Sequence, residues 1–218
     1  MWQFMAFILA EKNTIANRFL SELRSVELQK DRLRFRRNME RIGEILAYEI
    51  SQTLAYKPIE VETPLGIAMH TTPAQRIVLA TILRAGLPFH NGMLNVFDAA
   101  DNAFISAYRK EHKDGSLDIQ VDYISSADLD DSVLILCDPM LATGSSLNLV
   151  LDRLLVYGKP ATIHIAAVIA SAAGLEAVRR RHPKAHIWVG AVDEELTAKS
   201  YIVPGLGDAG DLAYGEKR

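Results

Sequence analysis

One stretch limits the fold of this chain more than any other: Val133-Leu134-Ile135-Leu136-Cys137-Asp138-Pro139-Met140-Leu141-Ala142-Thr143-Gly144-Ser145-Ser146. Apolar residues run directly into an acid. A loop of small residues follows, and a helical pattern then begins (Leu147, Val150, Leu151, Leu154, Leu155). A wholly apolar run suits a strand buried on both faces, as in a parallel sheet. The loop then sits at the strand's C-terminal end, where open α/β sheets bind ligands. Thr143, Gly144, Ser145 and Ser146 can aim backbone N–H groups and hydroxyls at a phosphate over the start of the following helix. Asp138, at the strand exit, can grip ribose hydroxyls or act through a metal. The same pattern also serves an ordinary βα turn with Asp and Ser as caps, and local chemistry leaves both readings open. The loop is neither a Walker A sequence nor GxGxxG, so a kinase or dinucleotide reading loses ground.

Similar strands recur on both sides of this unit. Ile77–Leu83 is apolar and ends in Arg84-Ala85-Gly86, and the next segment carries Leu87, Phe89, Met93, Leu94, Val96 and Phe97 at helical spacing. Ala103–Tyr108 reads as a strand ending at Arg109-Lys110, with a polar loop over Glu111–Ser116. Leu117–Ile124 alternates and reads as one arm of a flanking hairpin. Thr162–Ala170 and His186–Val192 are further strands, separated by a helix over Ala172–Arg181 that His182-Pro183 closes. Strands near 77, 103, 133, 162 and 186, with helices between several of them, predict an α/β domain on a five-stranded, mainly parallel sheet flanked by helices. Upstream, Asn13-Thr14 is a candidate cap for a short helix with Ile15, Phe19, Leu20 and Leu23 on one side. Phe35, Met39, Ile42, Leu46 and Ile50 predict a longer helix from about Glu27 to Thr53. Pro58–Thr71 predicts a β-hairpin around a Thr-Pro-Leu-Gly turn. The apolar start, Met1–Ala10, lacks a basic n-region and a cleavage site, and reads as a strand or arm rather than a signal peptide. Residues 1–218 are expected to form one domain, with 1–30 as an N-terminal extension and 200–218 as a C-terminal tail.

Arg84, Arg109 and Asp138 all stand at strand ends that such a sheet brings to one edge. Two arginines beside a phosphate loop suit a polyanionic ligand, because the guanidinium fork matches phosphate oxygens. Each arginine alone suits a surface salt bridge equally well. The tail, Tyr201–Asp211, is too Gly-rich for a helix and too apolar for a disordered terminus. Gly205, Gly207 and Gly210 would let a flat heterocycle approach the main chain, and a tight packed turn is the alternative.

Lys30, Arg32, Arg34, Arg36, Arg37 and Arg41 share the predicted long helix. Such a run is ordinarily a solvated face. An anionic effector, a subunit partner or RNA are sharper options, but no aromatic platform beyond Phe35 is interleaved for RNA. A net charge of −3 argues against broad nucleic-acid binding. No run reaches membrane-spanning length. The single cysteine, Cys137, lies inside the proposed core strand, where it is expected to be buried and inert. It cannot form an internal disulfide and fits a reducing compartment, hence a cytoplasmic location. The histidines show no metal spacing, since Pro183 breaks the helix that would align His182 with His186.

Three motifs together resemble the uracil phosphoribosyltransferases: Ile82-Leu83-Arg84-Ala85-Gly86-Leu87, Asp138-Pro139-Met140-Leu141-Ala142-Thr143-Gly144 and Tyr201-Ile202-Val203-Pro204-Gly205-Leu206-Gly207-Asp208-Ala209-Gly210-Asp211. Tyr108-Arg109 falls where that family has its Tyr-Arg pair. The resemblance implies a type I phosphoribosyltransferase fold with a small hood and a β-hairpin arm. It implies transfer from 5-phosphoribosyl 1-diphosphate (PRPP) to uracil, giving UMP and diphosphate. It places PRPP on Asp138, Pro139, Met140, Leu141, Ala142, Thr143, Gly144, Ser145 and Ser146, with Arg84 and Arg109 on the diphosphate. It places uracil among Ile202, Gly207, Asp208 and Ala209, with Asp208 also near the donor. Arg84, Arg109 and Asp208 become the catalytic set. Mg²⁺ arriving mainly with the donor, a homodimer or larger homo-oligomer, and GTP activation in some members also come with the family; no nucleic acid or membrane does. Ser145 departs from the second glycine usual in the loop and would not serve if that position needs a positive φ. Leu212-Ala213-Tyr214 replaces a tail that is usually basic and then aromatic, and residues 1–30 match poorly. The rival readings are a regulatory RNA-binding protein of this fold, using the Lys30–Arg41 helix, and a phosphoribosyltransferase for another base.

Overall fold

The apolar run Val133–Cys137 lies in the middle of an eight-stranded sheet, buried along its whole length. The computed structural model describes residues 6–111 and 117–216, with the backbone alone at 109–111 and 117–119. In chain order its elements are β1 (Phe7–Ile8), α1 (Ala16–Arg24), α2 (Arg32–Ser51), β2 (Tyr56–Thr63), β3 (Gly66–Pro73), β4 (Ile77–Leu83), α3 (Leu87–Val96), β5 (Asp101–Glu111) and β6 (Leu117–Ser125). There follow β7 (Val133–Cys137), β8 (Met140–Leu141), α4 (Ser145–Leu154), β9 (Thr162–Ser171), α5 (Ala172–Arg181), β10 (His186–Asp193), β11 (Glu195–Leu196), β12 (Ile202–Val203) and α6 (Ala209–Tyr214). The main sheet runs β1-β10-β9-β7-β4-β5-β6, with β8 beside β9.

The five expected strands are β4, β5, β7, β9 and β10, and every pairing among them is parallel. Edge strands extend this core. β1 adds in parallel to β10 (Phe7↔Trp188), and β6 adds antiparallel to β5 as the expected hairpin arm. Residues 1–5 of the apolar start and 112–116 of the polar loop lie outside the described residues. Side chains of β7 alternate between two cores. Val133, Ile135 and Cys137 face the layer of α1, α2 and α3, and Leu134 and Leu136 face α4 and α5. Burial on both faces explains why this strand reads as an unbroken apolar run. The expected β2–β3 hairpin forms, with Ile59 opposite His70 and Thr63 opposite Gly66.

Three expectations need correction. The helix expected from Glu27 begins at Arg32. A single 3₁₀ turn at Leu28–Lys30 precedes it, and Asp31 is extended (φ −77°, ψ 98°) and accepts the Arg34 N–H at 3.0 Å. An aspartate satisfies a helix's first amides better from outside the helix than from within it, so the longer helix breaks there. In α1, Leu20 and Leu23 are buried, but Ile15 is 59% exposed and stands at the N-cap in place of Asn13-Thr14, with no side-chain cap; Thr14 Oγ1 accepts only from Ala16 N, at 3.3 Å. The tail does form a helix, α6, because Asp208 caps it and α2 packs against it.

The basic run on α2 is more than a solvated face. Arg34 reaches the buried Glu22 of α1 at 2.7 Å, and Asn38 donates to the same carboxylate at 2.8 Å. The Arg34 hydrogen bond, with that of Asn38, draws Glu22 down to about 2. Arg37 pairs with Glu40, Arg41 donates to Asn38, and Arg36 reaches the tail.

Candidate active site

β4 and β7 are neighbours, so Arg84 and Asp138 leave adjacent strand ends. The edge they share opens into a cleft of about 850 Å³. One wall is the loop after β7. Asp138 Oδ1 accepts from Met140 N at 3.3 Å, which folds the loop over the strand end. Gly144 stands at the N-cap of α4 with φ +76°, a conformation that glycine adopts without penalty. Ser145 is the first helical residue and lies outside the positive-φ set, so the departure from glycine there carries no backbone conflict. Thr143 Oγ1 accepts from Ser145 N at 3.3 Å and lies 3.0 Å from Ser145 Oγ. The first turn of a helix has N–H groups without intrahelical partners; in α4 Ser145 N donates to Thr143, and Ser146 lines the cleft.

The opposite wall is the tail. β12 pairs antiparallel with β11 and forms the hood, Leu196↔Ile202. The chain then turns through Gly205 (φ +57°) and Gly207 (φ +96°) to Asp208. Asp208 Oδ1 accepts from Gly210 N at 2.8 Å and Asp211 N at 3.0 Å, so this acid caps α6 while it lines the cleft. Arg36 of α2 donates to Ala213 O at 2.7 Å and lies over the Tyr214 ring, 5.9 Å from its centroid. Between the walls, Arg84 Nη2 lies 3.2 Å from Gly215 O and 3.4 Å from Asp211 Oδ1.

The cleft gathers Arg84, Asp138, Pro139, Met140, Ala142 and Ser146 with Ile202, Gly207, Asp208 and Ala209. Leu141 turns away into the α4–α5 core, and Thr143, Gly144 and Ser145 shape the loop rather than line the cleft. Arg109 ends up on β5 in the strand next to β4, and its side chain lies outside the described residues. Sequence reading missed Tyr201 and Ser200 on the hood, Glu216 at the tail's end, and Ser106 and Ala107 on β5, where the pairing register shifts. A register shift of this kind leaves no mark in an alternating pattern; the Tyr-Arg pair was the available signal for Tyr108, which also lines the cleft. The Asp122 hydrogen bond and burial push the Tyr108 hydroxyl up. Among the described residues no group of three or more His, Cys, Asp or Glu side chains could hold a metal ion.

A family model, "Uracil phosphoribosyltransferase", matches residues 10–216. The chain belongs to the uracil phosphoribosyltransferase family. Its relatives include the uracil phosphoribosyltransferase of Porphyromonas gingivalis, 54% identical over 210 residues, 96% of this chain and 97% of that one. The uracil phosphoribosyltransferase of Methanothermobacter thermautotrophicus is 43% identical over 183 residues, 83% of each chain. Among solved structures, the AQ2163 protein of Aquifex aeolicus superposes with a TM-score of 0.85 at 30% identity, covering 94% of this chain and 96% of that one. The family match takes in α1 and the β2–β3 arm as well as the cleft.

Proposed function

We propose that the chain transfers the phosphoribosyl group of PRPP to uracil, giving UMP and diphosphate. The observation that carries this reading is the joining of a phosphate-type loop, a strand-end arginine and a glycine-rich turn in one cleft. The 5′-phosphate lies over the first turn of α4, with the ribose at Asp138. Arg84 meets the diphosphate, a role the family resemblance also gives Arg109, and uracil sits against Ile202, Gly207, Asp208 and Ala209. The C1–O bond to diphosphate breaks early and gives the ribose oxocarbenium character; uracil N1 forms the new bond to C1 from the opposite face, and the N1 proton passes to water or to the departing diphosphate. Catalysis is then mostly placement and charge: the guanidinium groups balance charge that builds on the leaving diphosphate. Uracil N1–H is acidic enough that backbone contacts to the base anion replace a strong general base. Mg²⁺ would arrive mainly with the donor, where Asp138 and Asp208 on the cleft walls would be the nearest carboxylates of the chain, and would supply further charge neutralisation.

The basic residues of α2 do not favour an RNA-binding reading, because Arg34, Arg36, Arg37 and Arg41 are already engaged within the chain. Exposed apolar side chains on the β2–β3 arm, among them Leu65, Ile67 and Met69, support a homodimer or larger assembly. No helix among the described residues is long and apolar enough to cross a membrane, and a cytoplasmic enzyme fits the single buried thiol. GTP activation is carried by the family reading and is tested by turnover with and without GTP. The deciding experiment offers PRPP and Mg²⁺ with uracil, cytosine, hypoxanthine or adenine in separate reactions and measures diphosphate release. Uracil alone should support turnover; release with a purine and none with uracil would overturn the assignment.

A further inference from the structure

The glycine turn of the tail is gripped from outside the cleft by an ion pair. Arg24, the last residue of α1, places Nη1 2.8 Å from Asp193 Oδ2 and Nη2 2.8 Å from Asp193 Oδ1. Asp193 ends β10 and is 7% exposed. The two side chains also hold both backbone polar atoms of Gly205. Arg24 Nη1 donates to Gly205 O at 3.0 Å, and Gly205 N–H donates to Asp193 Oδ2 at 2.9 Å. Gly205 itself is folded back on the hood so closely that a Cβ there would stand 2.1 Å from Ile202 O. Ile202 lies three residues before this point and Asp208 three after it, and both line the cleft. Neither Arg24 nor Asp193 does.

We propose that Arg24 and Asp193 are positioning residues for the nucleobase: they fix the Gly205 turn so that Ile202, Gly207 and Asp208 meet the base in one geometry. The inference rests on the uracil reading of the tail. A segment with two glycines at positive φ has many alternative conformations. Any freezing of that segment on binding is taken from the affinity for the base, so a turn ordered beforehand binds more tightly. A bidentate, charge-assisted pair is the kind of contact that can order it. The donor wall is built on β4, β7 and α4, which the clamp does not touch, so the effect falls chiefly on the base.

The test uses the full chain and steady-state kinetics on Arg24→Ala, Arg24→Lys and Asp193→Asn. The uracil KM should rise about tenfold in Arg24→Ala and Asp193→Asn, as expected for loss of charged hydrogen bonds. Arg24→Lys should fall between these and the wild type, because lysine keeps the charge but cannot span both oxygens and a carbonyl. Affinity for PRPP with Mg²⁺, read by calorimetry, should stay within about twofold. An unchanged uracil KM would overturn the proposal. So would a matched loss for both substrates alongside a lower Tm, which marks a merely structural pair. Should Arg24→Ala not fold, the Lys and Asn variants decide. A wild-type chain that ignores uracil sinks the underlying assignment instead, a separate result visible before any variant is made.

Discussion

The loop Asp138–Ser146 and the tail Ile202–Tyr214 face one another across the same cleft, but they acquire their shapes differently. The loop makes its bends itself, with Asp138 accepting from Met140 N, Thr143 accepting from Ser145 N and Gly144 at φ +76°, and it leans only on the neighbouring strand β9, with which β8 pairs (Met140↔Ile169) and whose Ser171 donates to Ala142 O. The tail borrows. A two-residue strand, a glycine turn and a six-residue helix are held by Arg24, Arg36 and Asp193 from elsewhere in the chain. Short elements of this kind lack the length to be stable alone. A phosphate wall made by the backbone can thus stay fixed, while a base wall held by remote side chains can be tuned without disturbing the phosphate.

This contrast leads to graded expectations. Arg84 touches the tail and stands at the donor edge, so Arg84→Ala should cost most. Loss of a preorganised cation at a leaving group lowers kcat/KM by about 10²- to 10³-fold; near wild-type kcat/KM would remove Arg84 from catalysis. Asp208 comes next because it belongs to both the cap and the cleft. Asp208→Ala should lower Tm and weaken uracil binding together, with about 1 kcal/mol from the lost cap. Asp208→Asn keeps the cap and should restore Tm but not turnover; full kinetic recovery in the Asn variant would reduce this acid to a structural role. Arg36→Ala should raise the uracil KM by about threefold to tenfold, as for one charged hydrogen bond, and leave PRPP affinity alone. An equal loss of PRPP affinity would erase the separation between the walls. Ser145→Gly should do least, within about twofold on donor affinity, since the position needs no positive φ; a large gain would show that serine obstructs the phosphate.

The same division governs how much could be read from sequence. The unbroken run of β7, the Phe35–Ile50 stripe of α2, the β2–β3 hairpin and α5 from Ala172 to Arg181 all follow from local periodicity and turn chemistry. So does the loop, whose chemistry is contained in consecutive residues. The errors lie where a distant partner decides. α6 forms despite its glycines because Asp208 caps it and α2 supports it. The break at Asp31 depends on a side chain choosing the cap over the helix. Arg24 and Asp193 are 169 residues apart and resemble ordinary surface charges until the fold joins them. The tail motif was visible through its resemblance, whereas its supports carried no local signal.

Cys137 closes β7 with its thiol fully buried, and burial together with the neighbouring Asp138 pushes its ionisation well above the usual thiol range. Thiolate is the form that reacts, so this sulfur is shielded twice. As the chain's only cysteine, it leaves the natural sequence with a silent background for maleimide labelling. A cysteine placed at the exposed Tyr201 on the hood would accept a single dye without prior removal of native thiols.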